Sequence, residues 1–557
     1  MEVWAPRATT VDLVRVAPGG SALGRRLPME PAGGGRFRID VPLPADDDYA
    51  FSVDGSEPLP DPESECQPQG VFGPSRVVDH GDFEWTDGAW RGVPLAGSAV
   101  YELHIGTFSE EGTFDGAIEH LDHLADLGVD IVEVMPVNAF DGDRGWGYDG
   151  VLLYAVHEPY GGPAGFKRFV DAAHERGLGV VLDVVYNHFG PTGNNLNRFG
   201  PYTTDRHQTP WGDAVNLDGP DSRPVRRFFL DNALGWLRNY HLDGLRLDAV
   251  HALVDESEHH LLRDLSEAVD ALSTQLRRPL SLIAEYPHTE PLAVTAREAG
   301  GHGLAAEWRD EVHHAVHAAC SGEQDGYYAE YGSMAAIAAA LTGPKDDLPR
   351  QRFVVCAQNH DQVGNRAKGD RLAHLVGADL AKIAAALVLT SPFVPLLFMG
   401  EEWAASSPFP YFAGPRDPSL DEAVRAGRRE EFAAFGWDTA EIPDPLAPAT
   451  FESARLDWAE LDGHEHLEML DWYRSLLRLR RDRPELCDPR PQSIAVDVDE
   501  DRRTMLVWRD ATAVAVNLSD ETASVEGRGG VLLASRDDVV ADGARVVLPP
   551  RSVAVVG

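Results

Sequence analysis

The stretch Leu178-Gly-Val-Val-Leu-Asp-Val-Val185 is apolar at almost every position, so a strand formed here must bury both of its faces. Such a strand needs helices on either side, and the sequence supplies them. Just upstream, Phe166, Phe169, Val170 and Ala173 recur at helical spacing before Gly177. Further back, Ile118, Leu121, Leu124 and Leu127 lie three apart, with Gly128 as a stop. The alternation of strand and helix continues, giving candidate strands at 99–105, 129–137, 178–185, 244–248, 280–285, 303–307, 352–358 and 394–399. Eight strands separated by helical sequence predict an α/β fold, a (β/α)8 TIM barrel with its functional residues at the carboxyl ends of the strands. The helix at 225–240 carries Phe228, Phe229, Ala233, Trp236 and Leu237 on one broad face, which reads as packing against that barrel.

Both ends of the chain follow a different rhythm. In residues 1–97, short alternating segments such as Thr10-Val-Asp-Leu-Val-Arg-Val16 and Arg36-Phe-Arg-Ile-Asp-Val41 are separated by Gly- and Pro-rich turns. This predicts an N-terminal β-sandwich of immunoglobulin-like or carbohydrate-binding type. Pro58, Pro60, Pro62, Pro68 and Pro74 then exclude a central strand, so that stretch is expected to be an irregular connector. After the barrel at 98–483, residues 484–557 return to short strands, with Thr504-Met-Leu-Val-Trp508, Ala513-Val-Ala-Val516 and a run at 546–556, and predict a small C-terminal all-β domain. A length of 557 residues with 43% hydrophobic content suits one large domain with satellites or three modest domains.

Composition narrows the partners. With 49 basic against 90 acidic residues, the net charge of −41 argues against a nucleic acid or an anionic membrane and for a neutral or small ligand. Cys66, Cys320, Cys356 and Cys487 lie far apart without CxxC spacing, so neither a zinc site nor a disulfide framework is indicated. There is no basic segment followed by a long apolar run at the N-terminus, nor any run of about eighteen apolar residues, and a cytoplasmic location is expected.

Four of the predicted strands end in polar clusters: Asp183-Val-Val-Tyr-Asn-His188, Arg246-Leu-Asp248, Ile283-Ala-Glu285 and Gln358-Asn-His-Asp-Gln362. At a period of two, Leu245 and Leu247 face one way while Arg246 and Asp248 face the other, which sets a guanidinium beside a carboxylate at a strand end. Alone, that pair favours chemistry while leaving a buried structural ion pair open as the lesser reading. Asp248, Glu285 and Asp361 on one rim, with histidines and an arginine, form the inventory that glycosidic cleavage needs: a carboxylate nucleophile, a carboxylic acid for the leaving oxygen, and groups that grip sugar hydroxyls. Tyr148 could offer its face to a pyranose or pack in the interior, and the local sequence allows both. His313 and His317 have the i, i+4 spacing of a metal pair but lack a carboxylate-supported HExxH motif, so no metal and no cofactor are expected. Arg425, Arg428 and Arg429 among Glu422, Glu430 and Glu431 read as a salt-bridged helix surface.

The four clusters, in this order and spacing, resemble the α-amylase superfamily of glycoside hydrolases over roughly residues 101–403. The resemblance implies that Asp248 is the nucleophile and Glu285 the general acid and base. It implies that Asp361 holds sugar hydroxyls and stabilises an oxocarbenium-like transition state, with Arg246 orienting Asp248 and His188 and His360 binding the sugar. A guanidinium neighbour favours the anionic nucleophile, and apolar Leu282, Ile283 and Ala284 around Glu285 are expected to favour its protonated form. Retention of configuration follows, with the two carboxyl groups about 5–5.5 Å apart. Gly145-Trp-Gly-Tyr-Asp-Gly-Val151, Tyr160-Gly-Gly-Pro163, Asn187-His-Phe-Gly-Pro191, Pro210-Trp-Gly-Asp213, Asn359-His-Asp-Gln-Val-Gly-Asn365 and Phe398-Met-Gly-Glu-Glu-Trp403 resemble, more narrowly, the maltooligosyltrehalose trehalohydrolase family.

That family cuts the α-1,4 bond next to the terminal trehalose of maltooligosyl trehalose, releasing trehalose, and a maltooligosyl trehalose synthase supplies its substrate. Tyr148, His251, Asp310, Glu311, His313, His314, Gln362 and Asn365 complete the substrate-binding set that the resemblance implies. The chain departs from the family pattern with Tyr286-Pro287-His288 after Glu285 and with Arg309 inserted behind Trp308, both bearing on the leaving-group side. Two other readings share parts of this layout: a glycogen branching or debranching enzyme, and an inactive α-glucan-binding protein.

Overall fold

The computed structural model describes residues 1–16, 24–286, 291–344, 347–416, 421–433 and 442–557. At its centre, eight parallel strands close into a barrel: β1 Val100–Leu103, β2 Ile131–Val134, β3 Gly179–Val184, β4 Gly244–Leu247, β5 Ser281–Glu285, β6 Ala306–Trp308, β7 Phe353–Cys356 and β8 Val394–Phe398. Each strand pairs with its neighbour in sequence, and β8 closes on β1 through Leu396 opposite Val100. Amphipathic helices such as Gly162–Glu175, Ser222–Asn239 and Leu261–Leu276 cover the outside.

The strand period divides the interior into two unlike layers. The lower one is apolar: Val100, Ile131, Val181, Ile283, Ala306, Val354 and Val394 pack together. On β4 the equivalent position is Gly244, where an added Cβ would lie 2.5 Å from the Ser281 carbonyl oxygen. Two residues further along the strands lie Glu102, Glu133, Asp183, Arg246, Glu285, Trp308, Cys356 and Leu396. In this upper layer, register sets Glu102 beside Glu133 and Asp183 beside Arg246. Strands apolar on their outer face thus lift charges to the carboxyl end of the barrel, where a cleft opens.

Several element boundaries differ from the sequence reading. The strand expected at 99–105 stops at Leu103 because Ile105–Phe108 turns helical. The strand expected at 303–307 is Ala306–Trp308. The helix expected through 118–127 is two helices, Phe114–Ile118 and Leu121–Leu127, the second capped by Gly128 at φ 99°. The run at 546–556 is broken at its prolines into Gly543–Leu548 and Ser552–Val556.

The N-terminal sheets have three and four strands and end at Arg76. They lean on the excursion between β3 and helix Ser222–Asn239 through Trp4 against Tyr202 (5.3 Å between ring centres) and Phe51 against Phe199 (6.5 Å). In the proline-rich connector, Val71 is buried among Ala139, Val151, Leu152 and Ala155. Helix His464–Asp482 packs on barrel helices Leu121–Leu127 and Ala378–Leu389, and beyond it sheets of five and three strands start at Ala495. At the amino end of the barrel, His174 is clamped between Asp87 (2.9 Å) and Asp243 (3.1 Å) and stacked on Trp90. Among the described residues, no helix is long and apolar enough to cross a membrane.

Candidate active site

Arg246, at the end of β4, is fully buried, and its guanidinium serves three carboxylates. Nη1 donates to Asp183 Oδ2 (2.7 Å) and Asp248 Oδ1 (2.8 Å), while Nη2 lies 3.0 Å from Glu285 Oε2. Its flat face covers the Trp308 indole at 4.2 Å. Burial opposes the guanidinium charge, but Asp183 and Glu285 more than restore it. Burial also pushes the Asp183 carboxyl up to about 7, against the pull of Arg246.

Asp248 follows the last residue of the strand and is held on both oxygens. Asn187 Nδ2 donates to Asp248 Oδ2 (2.7 Å) and to its backbone carbonyl (2.8 Å). The chain then turns sharply: Ala249 sits at φ 40°, ψ 51°, a left-handed conformation unusual for a residue with a Cβ. That turn aims the Ala249 N–H at Glu285 Oε2 (2.8 Å), which ties the two candidate catalytic carboxylates through one backbone step. The surroundings of Glu285 are therefore polar rather than apolar. Ile283 lies in the layer below, and Arg246 and the Ala249 amide meet the carboxylate instead.

Helix His360–Gly364 carries the opposite wall. Asp361 Oδ1 accepts from Asn365 Nδ2 (3.2 Å) and lies 3.5 Å from His360 Nε2. Burial raises the Asp361 pKa, with His360 pulling it back. Tyr148 stacks on His360 with ring centres 5.2 Å apart, and its hydroxyl lies 2.8 Å from His360 Nε2 and 2.6 Å from Asp183 Oδ2. Its hydroxyl thus belongs to the buried network, while the residue keeps part of its surface open. His188 bonds to Asn187 Oδ1 through Nδ1 (2.5 Å) and stacks on the half-exposed Trp211 (4.7 Å, 5°). Burial lowers its pKa, favouring the neutral ring.

Beyond Glu285 lies a cavity of about 210 Å³, lined by Tyr286, Trp308, Arg309, Asp310, Glu311 and His314, with Tyr331 at one side. Burial, then Glu285 and Asp361, push Asp310 up to about 7, while Gln362 opposes through a hydrogen bond. Arg309, the inserted residue, pairs with Glu307 and Glu311 at 3.5 Å each. Pro287 and His288 lie outside the described residues. Two predicted residues stand apart from the cleft cluster. His313 is buried, and its ring nitrogens bond the Ala357 carbonyl (2.6 Å) and the Tyr328 hydroxyl (2.9 Å). His251 is exposed on the short turn Val250–Ala252.

The sequence reading gave no role to Glu102, Trp308 or Trp211, and none in positioning to Asn187. For Glu102 a signal existed: a charge in the middle of the apolar run Val-Tyr-Glu-Leu. Arg428 also differs from its reading as part of a solvated helix face. It turns inward, donating to the Asn365 side chain (3.1 Å) and the Gly364 carbonyl (2.8 Å) over the Tyr411 ring (4.6 Å). Arg425 and Arg429 do form surface pairs, with Asp444 and Glu422. Away from the cleft, His207, Asp218 and Glu256 bring possible metal-ligand atoms within 4.8 Å of one another. The Asp218 carboxylate there already accepts from His207, Arg206 and the Glu256 amide.

Comparison with known proteins identifies the relatives of this chain. A family model for the alpha amylase catalytic domain matches residues 82–208, and one for a domain of unknown function (DUF3459) matches 489–555. The chain is 48% identical over 579 residues to the malto-oligosyltrehalose trehalohydrolase of Rhizobium sp. (strain M-11), covering 100% of this chain and 97% of that protein. It is likewise 48% identical over 554 residues to the malto-oligosyltrehalose trehalohydrolase of Arthrobacter ramosus, covering 96% and 95%. The crystal structure of a protein from Salmonella typhimurium assigned as an alpha amylase matches with a TM-score of 0.89 and 38% identity, covering 100% of this chain and 97% of that one. With near-complete coverage at this identity, the chain belongs to the malto-oligosyltrehalose trehalohydrolase family of alpha-amylase-type glycosidases.

Proposed function

We propose that the enzyme hydrolyses the α-1,4 bond next to the terminal trehalose of a maltooligosyl trehalose, with retention of configuration. The observation that carries the chemistry is the single Arg246 guanidinium joining Asp183, Asp248 and Glu285. Asp248 attacks the anomeric carbon while Glu285 gives a proton to the glycosidic oxygen, and trehalose leaves. Because Glu285 Oε2 is engaged by the Ala249 amide and Arg246, its Oε1 is the oxygen that delivers this proton. Water then opens the glycosyl–Asp248 ester, with Glu285 as base. Asp361 grips ring hydroxyls, and Tyr148, His188 and His360 shape the cleavage subsite.

The cavity lined by Asp310, Glu311 and His314 takes the trehalose, whose hydroxyls suit its carboxylates and imidazole. Gln362 supports Asp310, and Asn365 supports Asp361. The enzyme works in the cytoplasm on substrate made by a maltooligosyl trehalose synthase. Proton NMR of the first turnovers of maltopentaosyl trehalose tests the scheme. Trehalose should appear together with maltopentaose whose new reducing end is α before mutarotation; a β product would refute Asp248 as a nucleophile.

A further inference from the structure

Strand β1 contributes to the upper barrel layer a carboxylate that the reaction scheme leaves without a task. Glu102 is buried, and both its oxygens engage one residue: Oε2 accepts from the His360 backbone N–H (2.9 Å), and Oε1 bonds His360 Nδ1 (2.5 Å). Holding main chain and ring together fixes the imidazole plane against Tyr148. On the far side of the ring, Nε2 meets the Tyr148 hydroxyl, which meets Asp183, which meets Arg246.

Tyr148 has one hydroxyl proton to give, so the network can be counted. If Tyr148 donates to Asp183, then Nε2 must donate to Tyr148, and with Nδ1–H on Glu102 the ring is a cation. If Tyr148 donates to His360 instead, Asp183 must itself carry a proton 2.7 Å from a guanidinium, a state that burial favours and Arg246 opposes. The first arrangement places an anion beside each cation: Asp183 with Arg246 and Glu102 with His360.

We propose that Glu102 is the positioning residue that holds His360 as a fixed double donor, presenting a cationic ring to Tyr148 and Asp361 in the cleavage subsite. This rests on the assignment of that subsite made above. The charged and titratable groups facing the ring are Glu102 and His104 around β1, Glu133 from β2, Asp183 from β3, Arg246 from β4, Tyr148 from its loop and Asp361 from its own helix. Burial works against the His360 charge, but Glu102, followed by Asp361, outweighs it and raises the ring to about 9. Burial pushes His104 down to about 4, so it supplies no competing charge at neutral pH, and burial also raises Glu133.

The variant E102Q isolates the effect. A glutamine can still accept from the His360 N–H, but its amide donates to Nδ1 and removes the reason for a second ring proton. We expect E102Q to fold and to lose about 10- to 100-fold in kcat/KM. Its alkaline limb should move to lower pH by about one unit or more, and E102D should restore the limb. E102Q/H360Q should be no slower than H360Q alone. Imidazole nitrogen NMR of the parent should find both His360 nitrogens protonated at pH 7.5, a measurement that needs no variant to fold.

A neutral His360 in the parent, or an unmoved limb in E102Q with losses that add in the double variant, would overturn the proposal. D248N run alongside separates the two levels. Turnover surviving in D248N sinks the site assignment, whereas an inactive D248N beside an E102Q identical to the parent sinks only the role of Glu102.

Discussion

Arg246 meets three carboxylates with one charge, and its planar fork makes that possible. A lysine ammonium at the same place is a point charge on a flexible stem and cannot hold Asp183, Asp248 and Glu285 in one plane over Trp308. R246K should therefore lower kcat by roughly 10²-fold or more, measured at saturating substrate, even though formal charge is kept. Tyr148 is the second residue whose role is geometric. Y148F keeps the ring on His360 but removes the hydroxyl between His360 and Asp183, a loss of about 1–2 kcal/mol that should appear as about a tenfold drop in kcat/KM with little change in melting temperature. Asp248, Glu285 and Asp361 can be picked out in the chain because each lies in a polar cluster at or just beyond an apolar run. Glu102 and Asn187 were harder to see, since their roles arise only when distant strands meet: Glu102 is 258 residues from His360.

At the scale of elements, the apolar runs located all eight strands because a strand covered on both faces has few other readings. Boundaries were less legible where propensity is weak. Gly-Leu-Ala-Ala-Glu-Trp at 303–308 carries no strong preference, and pairing with β5 and β7 decides where β6 begins. Helix Asp421–Ala433 illustrates a different limit. Its charge pattern suggested pairing along its own surface, yet Arg428 reaches across to Asn365 and Gly364, a partner that helical spacing cannot reveal. Through Asn365 this helix props Asp361. R428A should lower kcat/KM about tenfold, the equivalent of about 1.4 kcal/mol, while far-UV circular dichroism stays unchanged. Retained full activity in R428A would detach this helix from the site.

Across the whole molecule, the two ends of the barrel differ: the proposed site lies at the carboxyl end, and a buried ion-pair cluster ties elements together at the amino end. His174 joins Asp87, in the segment that leads into the barrel, to Asp243, the residue before β4, with Arg278 also on Asp243 and His241 on Asp87. Burial opposes the His174 charge, but Asp243 and Asp87 outweigh it, so its folded pKa lies above the unfolded value of about 6.5. Its stabilisation is thus complete below about pH 6.5 and is lost as pH rises through the folded pKa. Urea melts should show the parent losing stability on the alkaline side, and H174Q should flatten that slope while losing about 3 kcal/mol near pH 6. An unchanged slope would mean that His174 is not the titrating group.

The proposed function turns on which bond the cleft selects. It is tested most directly by initial rates on maltopentaosyl trehalose and on a linear maltooligosaccharide of equal length, with products separated by chromatography. Free trehalose should be the dominant early product, with far slower cutting of the linear chain. Equal rates on both substrates, or new branched products, would contradict it.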